Sequence, residues 1–113
     1  MPYILINTAQ ELSLAQKENL KTELGKLIEI IPTKSEANLM VDFSDKRSMY
    51  HAGKEIPGAF IEVRLYHKAE LEVKQKLTKE IFELLSSELG IEKDNMFLNV
   101  LEFDNWGACG ALL

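Results

Sequence analysis

The sequence predicts an α/β fold built from a duplicated βαβ unit, with a four-stranded mixed sheet carrying two helices on one face. Three observations lead there. Short runs alternate apolar residues with the period of two that strands require. Longer segments repeat apolar residues at helical spacing, one after the first run and one after the third. The order strand, helix, strand occurs twice, and each parallel pair needs such a crossover, whose hand is nearly fixed.

Tyr3 to Thr8 reads as the first strand. Ser13-Leu14-Ala15-Gln16 has the S-x-x-Q form of a capping box and opens a helix. Leu20, Leu24, Leu27, Ile28 and Ile31 form its apolar stripe, which Pro32 forbids from continuing. Asn38 to Phe43 then alternates Leu39, Val41 and Phe43 against Asn38, Met40 and Asp42, giving the second strand. Ser44 to Gly58 holds Gly53, Pro57 and Gly58 and reads as a hairpin-like excursion inside a single domain of residues 1–113. Ala59 to Tyr66 is the third strand, Val73, Leu77, Ile81, Leu84 and Leu85 mark the second helix, and Gly90 supplies its left-handed stop. Met96 to Leu101 closes the sheet. The run Tyr3-Ile4-Leu5-Ile6 is apolar on both faces, which predicts a sheet buried on two sides and a second cover made by an oligomer packing sheet against sheet.

A chain of 113 residues that is 46% hydrophobic can form a core, and its size leaves a small stability margin. The net charge of −5, from 18 acidic against 13 basic residues, gives no electrostatic reason to meet nucleic acid or an anionic membrane, so neither is an expected partner. Cys109 is the lone cysteine, which excludes an internal disulfide and a CxxC pair and fits a reducing compartment, the cytoplasm. Tyr3 to Ile6 lacks the basic and long apolar regions of a signal peptide, and no segment could span a bilayer. His51 and His67 stand too far from other ligand types to suggest a metal.

Met1-Pro2 carries the chemistry. Removing Met1 would leave Pro2 with a rigid secondary amine. A general base works best with a pKa near ambient pH, whereas an α-amine sits at about 7.7–8.0 and a proline amine is more basic still. An apolar surround and a nearby Lys34 would both push it down, and Lys34 would also hold a carboxylate as a point charge. The plainer reading is that Pro2 starts an edge strand, where a missing N–H is tolerated, and that Lys34 is a solvated loop lysine.

Met1-Pro2 ahead of a duplicated βαβ unit, the segment Lys34-Ser35-Glu36-Ala37-Asn38-Leu39-Met40-Val41, Phe97-Leu98-Asn99 and Trp106-Gly107-Ala108-Cys109-Gly110 together resemble the macrophage migration inhibitory factor group of the tautomerase superfamily. The resemblance implies a homotrimer whose sheets form a central barrel, with active sites at subunit boundaries. It implies a cofactor-free keto–enol tautomerase of phenylpyruvate-type 2-oxo acids, in which Pro2 is the base and Lys34 binds substrate. Leu65 and Tyr66 match the place where a backbone amide meets substrate, Asn99 matches a pocket asparagine, and Trp106 an aromatic near the mouth. Phe97 stands where animal members carry a tyrosine, and the tail lacks the W-G-x-N-G-x-x-F pattern, which implies a less aromatic rim. Relatives also include signalling proteins, so an interaction module with incidental activity is the competing reading, and a decarboxylase or hydratase using the same proline is a third. Taken without the resemblance, Phe97 reads as a core strand residue, Trp106 equally as core edge, interface or pocket wall, and Asn99 as needing hydrogen-bond partners if buried. Arg47, Tyr50 and Arg64 could contact an acidic substrate but read better as surface or ion-pair residues, and Cys109 reads as a small packed thiol that would be reactive if exposed.

Overall fold

The computed structural model describes residues 1–113. The first unit comprises β1 (Pro2–Thr8), α1 (Leu14–Leu27) and β2 (Met40–Ser44), and a small hairpin of β3 (Tyr50–His51) and β4 (Lys54–Glu55) follows it. The second unit comprises β5 (Ala59–Tyr66), α2 (Leu71–Leu89) and β6 (Met96–Phe103), and the tail folds into a hairpin of β7 (Gly107–Ala108) and β8 (Ala111–Leu112). The main sheet has the order β2-β1-β5-β6. β1 and β2 are parallel, β5 and β6 are parallel, and β1 meets β5 antiparallel at the centre. The two units are thus joined through their first strands.

Local chemistry sets the element ends. Ser13 Oγ accepts from the Gln16 N–H at 3.1 Å while Gln16 Oε1 accepts from the Ser13 N–H at 2.9 Å, completing the capping box. α1 ends earlier than its apolar stripe suggests: Ile28–Ile30 tighten into a 3₁₀ turn and Ile31 is extended, because a residue before proline disfavours the helical region. A second 3₁₀ turn at Glu36–Asn38 delays β2, so Asn38 and Leu39 lie before the strand. α2 ends at Gly90 with φ +68°, the left-handed stop that its sequence predicts. β6 runs two residues past the predicted Leu101, to Phe103.

The core lies between the sheet and both helices. Ile4 and Ile6 of β1 and Ile61, Val63 and Leu65 of β5 are fully buried against Leu20 and Leu24 of α1 and Ile81 and Leu85 of α2. The opposite face is more polar at its centre than the Tyr3–Ile6 run suggests. A polar belt crosses its central strands: Tyr3 Oη donates to Asp42 at 2.8 Å, and Asn7 Nδ2 donates to the Phe60 carbonyl at 3.0 Å and to Glu62 at 3.2 Å. Cross-strand partners satisfy these groups without a covering layer. Apolar side chains gather along β6 instead, where Phe97, Leu101 and Phe103 are exposed. Phe97 is therefore no core residue, because the alternation of β6 turns it away from the helices, and Asn99 beside it is exposed and needs no buried partner. No helix is long and apolar enough to cross a membrane.

Truncating the core should expose this layering. Ile81→Ala is expected to cost about 2–5 kcal/mol, read as a lower urea midpoint at unchanged slope. Leu14→Ala, at a side chain 74% exposed, should stay within about 0.5 kcal/mol. Equal losses from the two variants would refute the assignment of α2 to the core.

Candidate functional site

Everything at one end of the sheet converges on the head of β1. Pro2 pairs with Leu65, a first-strand position where proline's missing N–H leaves no ladder bond unmade. The Leu65 side chain is fully buried, so only its backbone is available there. The peptide groups of Tyr66 then link two neighbours: its N–H donates to the Met1 carbonyl at 3.2 Å, and its carbonyl accepts from Lys34 Nζ at 3.1 Å.

Two tight turns hold this linkage. After α1 the Lys34 N–H returns to the Ile31 carbonyl at 3.1 Å, with Thr33 in the left-handed region at φ +71°. After β5, His67 is left-handed at φ +72°, and its N–H donates to the Phe103 carbonyl at 2.9 Å. Such conformations cost non-glycine residues on the order of 1–2 kcal/mol each and gather where geometry matters for function. Glu102 pins the second turn, accepting from the Ala69 N–H at 2.6 Å and from Lys74 Nζ at 3.0 Å. The Ala69 N–H first, and then Lys74, holds the Glu102 carboxyl below the usual range.

The electrostatics at the strand head are unusual for an amine. The Met1 α-amine is lowered from 8.0 to about 6, mainly by burial and then by a hydrogen bond with Lys34 and its positive charge. In the chain with Met1 attached the Pro2 nitrogen is an amide, so the basic group here belongs to Met1.

Two cavities flank this point. The larger, about 620 Å³, is a groove lined by Met1, Pro2, Tyr3, Asn38, Met40, Arg64, Phe103, Asn105, Trp106, Gly107 and Ala108. The smaller, about 250 Å³, is lined by Lys34, Leu65, Tyr66 and the two turns. Met1 lines the groove and its amine meets Lys34, so it bridges the two spaces. The tail hairpin supplies one wall, with Leu113 N–H donating to the Trp106 carbonyl at 2.7 Å. The rim is more aromatic than the altered tail motif implies: the Trp106 ring lies 6.3 Å from both Tyr66 and Phe103, and His67 stacks on Tyr66 at 3.7 Å.

Of the residues singled out in the sequence, Pro2, Lys34, Leu65, Tyr66 and Trp106 meet at this end. Phe97 and Asn99 do not. Asn99 is level with Glu62 and Leu5, three residues along β1 from Pro2, or about 10 Å. Phe97 is level with Phe60 and Asn7, about 17 Å away, and its ring packs 4.8 Å from His51. Asn38, Met40, Phe103 and Asn105 were not anticipated in the groove, and Arg64, expected at the surface or in an ion pair, lines it while pairing with Glu62 at 3.1 Å. The tail hairpin left one signal: Cys109 and Gly110 are small residues at φ +54° and +84°, as a two-residue type I′ turn requires. Cys109 is exposed at that turn rather than packed.

No curated protein matches this chain in sequence. Solved structures share its fold. Leishmania major MIF2 superposes with a TM-score of 0.93 at 21% identity, covering 100% of this chain and 97% of that one. The macrophage migration inhibitory factor-like protein of Entamoeba histolytica gives 0.87 at 22% identity, with 99% and 98% covered. Pt0534, solved after inactivation by 2-oxo-3-pentynoate, gives 0.84 at 20% identity, with 96% and 93% covered. The sequence model described as macrophage migration inhibitory factor (MIF) matches residues 1–111, and the chain belongs to that family.

Proposed function

We propose that this protein, once Met1 is removed, is a cofactor-free keto–enol tautomerase of phenylpyruvate-type 2-oxo acids, with Pro2 as the general base. One observation carries the reading. The contacts from Lys34 through Tyr66 to Met1 set a cation and a backbone N–H at the head of β1, where an amine is already held well below its ordinary range. Loss of Met1 transfers the terminal amine to Pro2 and leaves the Tyr66 N–H without its acceptor. A substrate oxygen takes that acceptor's place, and Lys34 faces the carboxylate. The inactivation of Pt0534 by a 2-oxo acid supports the substrate class.

The reaction needs proton transfer alone. In the keto to enol direction the neutral Pro2 nitrogen takes a proton from C3, the C–H electron pair forms the C2–C3 double bond, the C=O π pair moves onto oxygen, and the Pro2 ammonium passes its proton to that oxygen. The Tyr66 N–H stabilises the charge that develops on that oxygen. In reverse the neutral Pro2 nitrogen takes the enol O–H proton, and the ammonium so formed delivers that proton to C3.

The same reading makes the protein a homotrimer. Phe97 and Asn99 lie on the uncovered sheet face, too far from Pro2 to serve it within one chain. A neighbour in a trimer would bring them to it.

Removal of Met1, verified by intact mass, should be accompanied by ketonisation of phenylpyruvate enol that Pro2→Ala slows by about 10²–10⁴-fold. Equal rates for both proteins would instead favour the interaction-module reading. The base must be neutral to act, so the rate should rise with pH through a limb below the ordinary amine range and level off above it. Lys34→Ala removes one cause of the lowering, and should move that limb to higher pH while raising KM; an unmoved limb rejects the electrostatic role. Light scattering should give three times the chain mass of 12.9 kDa, and a monomer would remove the shared site.

A further inference from the structure

We propose that Arg64 is a second anion anchor of the Pro2 groove, so that the site favours 2-oxo acids carrying a second carboxylate. This rests on the tautomerase reading for the reaction and on independent geometry for the anchor. Arg64 faces Tyr3 in the register of β1 and β5, one step from the Pro2–Leu65 pair, and its side chain lines the same groove as Pro2. Lys34 lines the smaller cavity instead. The two cations therefore flank the strand head, and a carboxylate at Lys34 leaves Arg64, which pairs with Glu62 through Nη2, to meet a second one.

The guanidinium is held in place before any ligand arrives. It lies 5.3 Å over the Tyr3 ring, a cation–π arrangement that orients its plane. Nη2 donates to Glu62 Oε1 at 3.1 Å, which fixes one side of the fork. Nε is buried and has no partner. Nε offers no surface to a ligand, so a carboxylate in the groove meets the terminal nitrogens of this half-exposed side chain. No Asp or Glu lines the groove, and Arg64 is its one charged side chain. An incoming anion therefore meets no carboxylate in the groove lining, and Arg64 is the one cationic side chain there. Met40, Phe103 and Trp106 supply apolar surface in the same groove for the carbon skeleton between the two acid groups.

Phenylpyruvate and its para-carboxy derivative isolate the second carboxylate, because their reacting centres are the same. With Met1-free protein, Arg64→Gln should raise the ratio of KM for the carboxy derivative to KM for phenylpyruvate at least fivefold. The kcat ratio should stay nearly constant, and Arg64→Lys should recover part of the KM effect. Equal changes on both substrates, or none, would overturn the anchor. Calorimetry with terephthalate against benzoate tests the same point without turnover, on variants whose thermal unfolding matches the parent. Arg64-dependent preference for terephthalate in a protein that Pro2→Ala leaves unaltered in rate would keep the anchor and discard the tautomerase. Pro2-dependent turnover with no Arg64-dependent preference in either experiment would do the reverse.

Discussion

Antiparallel pairing of β1 with β5 is the constraint that the rest of the molecule obeys. It joins two βαβ units that would otherwise bury only half a core each, and its register runs from Pro2 opposite Leu65 to Thr8 opposite Ala59. A slip of one residue would turn every side chain to the other face. Ile4, Ile6, Ile61 and Val63 would then leave a fully buried layer, at about 1.5–3 kcal/mol each. That exceeds anything the polar belt could return, since each of its hydrogen bonds nets about 0.5–1.5 kcal/mol. Asn7 bonded to the Phe60 carbonyl and Thr8 bonded to the Gly58 carbonyl add local pins at the far end. The site inherits this precision, because the same register sets Tyr66 against Met1 and Arg64 against Tyr3.

The two sheet faces divide the labour unequally. Beneath the helices burial is complete and the residues are aliphatic, so that face supplies stability. The other face carries Tyr3, Asp42, Asn7, Glu62 and Arg64 across its middle, with aromatic and aliphatic side chains along β6 at its margin. β6 is an edge strand, and exposed apolar side chains on an edge favour contact with another chain. The proposed trimer would cover that margin while leaving the polar belt hydrated.

Much of this was legible in the chain because it depends on local periodicity and on stop signals. The capping box at Ser13 and the turn at Gly90 act through their own backbone and appear where the residues predict them, while the break before Pro32 comes a few residues early. Lys34 and Pro2 were legible as candidates because few residue types combine basicity with that placement. The open face was misjudged because Tyr3 and Leu5 are apolar by type, while the partners that make this face polar, Asp42, Glu62 and Arg64, come from other strands. The groove was only partly visible for the same reason. Phe103 enters it from the end of β6, past the predicted strand, and Asn105 from the segment leading to a tail hairpin whose strands are two residues each, too short for any periodic signal. Phe97 and Asn99 share a segment with no residue that reveals which end of the sheet they occupy; only the register does.

Thr33 and His67 show where the fold departs from its own optimum. Both hold left-handed backbone with a full side chain, and both turns close on the same corner, around Lys34 and Tyr66. Glycine or asparagine at either position would relieve that steric cost. Selection for heat resistance alone would therefore favour such replacements there, gaining robustness while loosening the corner that holds the cation. Thr33 and His67 leave that relief unused, so at this corner a stabilising replacement and the present hold on Lys34 stand opposed.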